Sequence, residues 1–345
     1  MDDFSTRADF DRLAAPYQQT ISGTQGRLVA RKVLFDWSQT PLEWIPQQPF
    51  ASHLINQINL ILPAGELWFC RLFNQALPLI TDAKLRDDVQ QFVRQEGMHA
   101  QAHVGVIESY LKQHGVDTLR NTRIMEFLFD VVLADQPFGR KLPRMLQRRW
   151  LLFRLGIVAS VEHMTCVLGR YALENKQWDA AGADPSLVDL IRWHGAEEIE
   201  HRSVAFDLYR HLGGRYASRF YLTAITFPLV FGLWMDGAAH LMQQDPQFAA
   251  DKPRAWRPWF WRQWKQAQQA GLLPSVGWLL AKEMPFLNPW YDPLYEASTE
   301  DAMAYLMKSP AAAAGAAARQ TVRAEDRSPF EGEALGAGPK GSVCG

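Results

Sequence analysis

The chain has 345 residues, 48% of them hydrophobic, and a formal net charge of −1 at pH 7. It is long enough to bury a large core without metal ions as folding staples, and its near-neutral charge gives no global field to attract nucleic acid. The three cysteines, Cys70, Cys166 and Cys344, lie far apart, which argues against a disulfide framework. Residues 1–30 show no secretory signal pattern. We therefore expect a cytoplasmic protein that does not bind nucleic acid.

Composition changes along the chain predict an all-α protein with four segments. Residues 1–50 show little periodicity and are expected to form an N-terminal arm. Residues 51–214 carry apolar side chains at helical spacing and form the predicted bundle, and residues 215–308 form an aromatic-rich helical extension packed on it. Residues 309–345 combine Ala, Gly, Pro and charge without an apolar face, so we expect a disordered tail there.

A helix predicted from Thr81 to Gly115 carries titratable side chains on its buried face. Thr81 or Asp82 is the expected N-cap, and Gly115 is the expected stop. The inward stripe, in alternating steps of four and three, is Leu85, Val89, Phe92, Glu96, His99, His103, Val106 and Tyr110. A Glu-x-x-His sequence therefore occupies the middle of a face that should be apolar.

A second predicted helix, which begins after Asp184 with Pro185 in its first turn and ends at Gly213, repeats this arrangement. Its inward stripe is Leu187, Ile191, His194, Glu198, His201, Ala205, Leu208 and Leu212. Here too the centre of the stripe is Glu-x-x-His, formed by Glu198 and His201.

Two further predicted helices each place one carboxylate inward. Glu66 lies in the helix that resumes after Pro63, and Glu162 lies in the helix from about Leu142 to Asn175. Buried carboxylates and imidazoles cost several kcal/mol unless they are compensated, and a metal ion is the usual compensator for this mixture. One Glu from each of two helices and a Glu-x-x-His from each of two others is the ligand set of a dinuclear site in a four-helix bundle. The predicted metal ligands are Glu66, Glu96, His99, Glu162, Glu198 and His201, with a metal-free polar network as the alternative.

The order Gly65-Glu66, Glu96-x-x-His99, Glu162-His163 and His194-x-x-Glu197-Glu198-x-x-His201 resembles the ferritin-like di-metal carboxylate proteins. It is most similar to the bacterial family called predicted metal-dependent hydrolases, over roughly residues 50 to 300. The resemblance implies a ferritin-like four-helix bundle with a di-metal centre and additional C-terminal helices. It also implies terminal carboxylates at Glu66 and Glu162, bridging carboxylates at Glu96 and Glu198, and nitrogen ligands at His99 and His201. We predict that Glu96 and Glu198 are also catalytic.

Three further titratable residues lie near the predicted ligands. His103 is one turn beyond His99, and His194 is one turn before Glu198, both on the inward stripes. Each is predicted as an additional ligand, a partner of a ligand or a proton carrier, with a hydrogen-bonded core histidine as the alternative. Glu197 competes with Glu198 for the ligand role, although Glu198 fits the stripe better. Extra nitrogen ligands favour Fe, Mn or Zn over Mg or Ca.

The ligand set suggests three kinds of function. We expect two iron ions that activate dioxygen to oxidise or hydroxylate an apolar small molecule, because carboxylates stabilise highly charged iron. Electrons for such an oxygenase would have to come from a partner protein. The alternative is a hydrolase whose two metals, with Mn or Zn as candidates, activate a shared water. A further alternative is iron storage or peroxide scavenging, which leaves the segment after Gly214 without a purpose.

Two aromatic-rich stretches bear on membrane contact. Phe220 to Met235 contains no charged residue, but its 16 residues are shorter than the about 20 needed to span a bilayer, which favours a buried helix. Trp256 to Lys265 interleaves aromatic and basic residues, a composition suited to a lipid headgroup interface or to a helix clamped on the bundle. We therefore consider peripheral membrane association beside the cytoplasmic assignment, and a homodimer as the assembly.

Overall fold

The protein is described by a computed structural model for residues 28–325, with side chains to residue 319. No strand occurs among these residues, so the all-α prediction is confirmed. The α-helices are α1 (Pro49–Asn56), α2 (Ile58–Ala76), α3 (Ala83–Gly105), α4 (Leu119–Glu126), α5 (Arg144–Glu174), α6 (Gln177–Ala180), α7 (Pro185–His201), α8 (Val204–His211), α9 (Tyr216–Met242), α10 (Pro258–Gln269), α11 (Val276–Glu283), α12 (Thr299–Leu306) and α13 (Pro310–Glu325). Two π-helical turns, Val106–Leu111 and Phe127–Val132, extend α3 and α4.

The two helices that carry the Glu-x-x-His sequences begin where their capping residues indicate, whereas the helix of Glu66 runs through Pro63 without the expected break. The Asp82 side chain accepts a hydrogen bond from the backbone N–H of Leu85 at the start of α3. Asp184 does the same for the first turn of α7. The single helix expected as far as Gly213 is instead divided, because α7 ends at His201 and α8 begins at Val204. The break comes directly after the last predicted ligand.

Two antiparallel helix pairs surround the predicted ligands. Between α2 and α3, Phe73 stacks on Phe92 with ring centroids 4.5 Å apart. On α5 and α7, a Cβ built on Gly195 would lie 2.5 Å from the Cα atom of Gly169, so the two backbones almost touch. Only glycine permits this approach. The two pairs meet along α3 and α7, which brings both Glu-x-x-His sequences to one interface.

The arm and the first part of the predicted tail lie against this core. Residues 28–48 form no helix, and Trp37 and Trp44 from this segment are buried. The expected disorder from residue 309 is wrong for Pro310–Glu325, which form α13. Alanine has the highest helix propensity, and the buried Asp189 side chain accepts a hydrogen bond from the backbone N–H of Ala311 at the start of α13. Residues 1–27 of the predicted arm and 326–345 of the predicted tail lie outside the described residues.

The segment after residue 215 packs on the core through α9, which contacts α1 and α5. Phe260 and Trp264 of α10 are buried, whereas Trp256 is 73% exposed. Two helices, α5 and α9, are long and apolar enough to span a membrane by length and composition, which is weak evidence because buried core helices share these properties. Membrane association and the cytoplasmic location both stay predictions.

Candidate metal centre

The structure brings all six predicted ligands into one buried cluster. Glu66 comes from α2, Glu96 and His99 from α3, Glu162 from α5, and Glu198 and His201 from α7. None of these residues is more than 3% exposed. Ligand atoms of five of them, together with His194, form two groups, each compact enough to hold one cation: Glu66, His99 and His194 in the first, and Glu96, Glu198 and His201 in the second. Glu162 lies beside the second group.

The first group has two imidazole nitrogens. His194 Nε2 lies 3.6 Å from Glu66 Oε1 and 2.7 Å from Glu198 Oε1. His99 Nδ1 lies 3.5 Å from the same Glu198 oxygen and 3.6 Å from Glu96 Oε1. Two ligands bound at about 2.1 Å to one metal ion are roughly 3 to 3.6 Å apart, so three of these four separations suit a shared cation.

The second group has one imidazole nitrogen and two carboxylates, and the Glu162 carboxylate lies beside it. His201 Nε2 lies 3.3 Å from Glu96 Oε1, 3.2 Å from Glu162 Oε2 and 3.3 Å from Glu198 Oε2. Glu198 therefore directs one oxygen toward each group, and Glu96 Oε1 lies near a histidine of each. This is the geometry expected of the two bridging carboxylates.

Hydrogen bonds outside the cluster leave one nitrogen of each Glu-x-x-His histidine free to bind metal. His99 Nε2 is 3.0 Å from Glu197 Oε2, and His201 Nδ1 is 3.1 Å from Gln95 Oε1. Both partners are acceptors, so these ring nitrogens carry the protons and donate. The opposite nitrogens, His99 Nδ1 and His201 Nε2, face the cluster and would bind metal through their lone pairs after giving up any proton that they hold. Metal-binding histidines are generally held in this way.

Eight inward polar atoms lack hydrogen-bond partners, which is rare for buried groups. The unpaired atoms in the cluster are both carboxylate oxygens of Glu66, Glu96 and Glu162, together with His99 Nδ1 and His201 Nε2. Eight unpaired ligand atoms facing one another fit two cations and do not fit a satisfied polar network. The residues present therefore suit a dinuclear metal centre.

The pKa shifts of the clustered carboxylates also favour a bound cation. Burial and the charge of Glu96 raise the pKa of Glu66 well above its ordinary value, and burial and the charge of Glu198 do the same for Glu162. Burial alone would raise the pKa of Glu198, but the charge of His201 and the hydrogen bonds with His194, His201 and His99 together outweigh burial and lower that pKa well below its ordinary value. Without a cation, the cluster relieves its repulsion by holding protons. Metal binding would release them.

The three additional residues have different positions. His194 belongs to the first group, as an additional ligand would. His103 hydrogen-bonds to His194: His103 Nε2 is 2.6 Å from His194 Nδ1, and His103 Nδ1 is 2.8 Å from Asn59 Oδ1. Glu197 belongs to neither group, because its carboxylate accepts a hydrogen bond from His99 Nε2, on the side of the ring that faces away from the cluster. Glu198 is therefore the member of the Glu197-Glu198 pair that faces the cluster.

An arginine from the N-terminal arm connects the outer partners of both histidines, and sequence analysis missed it. Arg31 Nη1 lies 2.9 Å from Glu197 Oε1 and 2.8 Å from Glu200 Oε2. Gln95 donates to the same Glu200 oxygen and accepts from His201. Burial opposes the charge of Arg31, but its bonds to Glu200 and Glu197 outweigh burial and raise its pKa. The arm has no periodic pattern that could have revealed Arg31, whereas Gln95 and Glu200 could have been suspected as neighbours of ligands.

An apolar cavity opens beside the first group. Its volume is about 840 Å³ including the space at its open mouth, and it lies between α2, α5, α7 and α9. His194 and Glu198 form part of its wall, so a molecule in the cavity would contact the metal centre.

Comparison with protein-family models matches residues 29–297 with a family described as predicted metal-dependent hydrolase. Comparisons with curated proteins and with solved structures found no match. The family match supports a metal-dependent enzyme and favours the hydrolytic alternative over the expected oxidase or oxygenase. The ferritin-like arrangement and the identity of the metal as iron stay predictions. Because the match covers more than half of the 345 residues, the chain belongs to the predicted metal-dependent hydrolase family.

Proposed function

We propose that the protein is a hydrolase with a dinuclear metal centre, and that it cleaves an ester-type bond in an apolar small molecule. The observation that carries the proposal is the buried cluster of unpaired carboxylate oxygens and imidazole nitrogens, divided into two groups. The family description supports hydrolysis, and the adjoining cavity supports an apolar substrate. Glu66, Glu96, His99, Glu162, Glu198 and His201 would hold the metals, with His194 as a seventh ligand.

Two bound cations would lower the pKa of a water between them and polarise the substrate oxygen. The protein's own residues orient the metal ligands and keep bulk water away from them. Glu197 holds the proton of His99 at Nε2, and Gln95 holds the proton of His201 at Nδ1, so both rings keep their lone pairs inward. Thr165 donates a hydrogen bond to Glu198 Oε2 and fixes that carboxylate between the two groups. Burial of the whole cluster keeps bulk water from competing.

Dioxygen-dependent oxidation by two iron ions is the second candidate, favoured by one observation. The cluster has four carboxylates beside its imidazoles, and anionic oxygen ligands stabilise highly charged iron. An oxidase or oxygenase would need an electron-donor protein as partner. Iron storage is not proposed, because a cavity leading to the centre suits an organic substrate better.

The test begins with metal content, measured by mass spectrometry on protein purified without oxygen. We expect two metal ions per chain, zinc or manganese for a hydrolase and iron for an oxidase. The paired substitution Glu96→Gln with Glu198→Gln should abolish binding at both positions, because these carboxylates face both groups. Glu108→Gln, on an exposed residue beyond the end of α3, is the matched control and should keep both ions.

Activity assays then separate the two candidates. Hydrolysis of short- and medium-chain esters without oxygen consumption would support the first proposal, and consumption of oxygen by the ferrous protein would support the second. Full metal content in the paired variant would refute the assignment of the centre itself.

A further inference from the structure

The polar side chains of the cavity all belong to the metal centre and its partners. Among the lining residues, the polar ones are Asn59, His103, Thr165, His194 and Glu198. His194 and Glu198 face the metal groups, Thr165 donates to Glu198, and Asn59 and His103 continue the hydrogen-bonded chain from His194. A ligand in the cavity therefore meets polar atoms at one end only.

The remaining walls are almost entirely aliphatic. They are formed by Ile55, Ile58, Ile61, Leu62, Val161, Met164, Leu168, Ile191, Val230 and the two glycines Gly169 and Gly195, with Trp234 as the single aromatic residue. The indole N–H of Trp234 donates to the backbone oxygen of Leu54 at 2.7 Å, so it offers no donor to a ligand. Nothing along these walls would recognise a sugar, a charged group or a second polar function.

The partly exposed lining of the cavity is also apolar. Eight lining residues are half-buried, and seven of them are aliphatic, with Thr165 as the exception. On the outer face of α9, Leu229 is 48% exposed and Ile225, one turn earlier, is 64% exposed. Between α5 and α7, the near contact of Gly169 and Gly195 leaves no gap in the cavity wall.

We infer that the substrate is an aliphatic-chain ester or a close relative, with the chain in this cavity and the hydrolysable group at Glu198 and His194. The inference rests on the proposed function and deepens it by naming the substrate class. An aliphatic chain needs no polar partner along its length, and it matches the aliphatic side chains that line these walls. Its burial against these walls would supply the binding free energy.

The test measures binding of 1-alkanols, from butanol to decanol, to the metal-loaded protein by calorimetry. Each added methylene should lower Kd by about three- to fourfold until the cavity is filled, with a negative heat-capacity change on binding. Val230→Trp, which would fill part of the cavity, should weaken decanol binding at least tenfold. Ile225→Trp, on the exposed face of the same helix, is the matched control and should bind like the parent.

Thermal unfolding and metal content check that both variants are folded. Ile58→Phe, on α2, is a second substitution that would obstruct the cavity. Competition by phosphatidylcholine vesicles would assign the chain to membrane lipids, whereas alkanol binding without such competition would assign it to free esters. Either result supports the inference. A Kd independent of chain length, or full decanol binding by folded Val230→Trp and Ile58→Phe, would overturn it. Because alkanol binding needs no catalysis, this failure is distinguishable from loss of the metals, which would refute the proposed function instead.

Discussion

Replacement of Arg31 by alanine should weaken both the fold and metal binding, because this side chain compensates two buried carboxylates. The side chain of Glu197 is fully buried and that of Glu200 is 7% exposed, and both lie within 3 Å of Arg31 Nη1. Removing one partner of a buried ion pair leaves an uncompensated charge and costs about 3–5 kcal/mol. We therefore expect Arg31→Ala to lower the free energy of unfolding by an amount in this range.

The same variant should bind metal more weakly although Arg31 touches neither metal group. Glu197 orients His99, and Glu200 orients His201 through Gln95, so the loss of Arg31 releases the partners of both histidines. Loss of such outer partners typically costs about ten- to hundredfold in metal affinity. Chelator competition measures this loss, and urea unfolding measures the stability.

Two further variants test whether these losses come from the Arg31 side chain itself. Arg31→Lys keeps the charge but loses the planar fork that reaches two carboxylates, so it should fall between the parent and Arg31→Ala. Lys32→Ala changes an exposed neighbour in the same segment and should alter neither quantity. If Arg31→Ala matches Lys32→Ala in unfolding free energy and in chelator competition, the arm has no part in holding the centre.

Two other predictions concern residues that are not among the predicted metal ligands. Burial and the charge of Glu296 raise the pKa of Glu283 to about 8 from 4.5, so its favourable contribution is complete below pH 4.5 and is lost as the pH rises toward 8. Glu283→Gln should flatten the pH dependence of urea unfolding in that window, and an unchanged slope would contradict the assignment. Gly195→Ala should destabilise the protein by about 1–3 kcal/mol in urea, because the new Cβ would overlap Gly169. Gly232→Ala in α9, where a Cβ meets nothing within 4 Å, should instead stabilise by about 0.5–1 kcal/mol, and equal effects of the two substitutions would argue against the close contact.

The inward ligands could be predicted from sequence because helical periodicity decides which side chains share a face. Glu96 and His99 occupy steps of a stripe whose other members are apolar, and the caps at Asp82 and Asp184 locate the helices that carry both such stripes. Once helix type and face are known, four inward carboxylates can converge in only a few ways. The prediction needed no knowledge of distances.

The outer layer could not be predicted because it depends on chain segments with no local pattern. Arg31 lies in a segment without regular structure, more than 160 residues before its partners Glu197 and Glu200. The helical start of the predicted tail was missed for a related reason. Ala-rich sequence has high helix propensity but no apolar stripe, and its docking depends on Asp189, a distant acceptor.

A count of buried charge shows why the arm and the metal centre belong to one device. Glu66, Glu96, Glu162 and Glu198 carry four negative charges when ionised, which two divalent cations would balance. Such cations would lie inside the cluster, so they could not also neutralise the two outer carboxylates that orient the histidines. Among the described residues, Arg31 forms ion pairs with both of those carboxylates, and it comes from outside the helical core. If the inner carboxylates bind metal, the outer carboxylates hold the histidines in the tautomer that metal requires, and each layer then has its own positive charge.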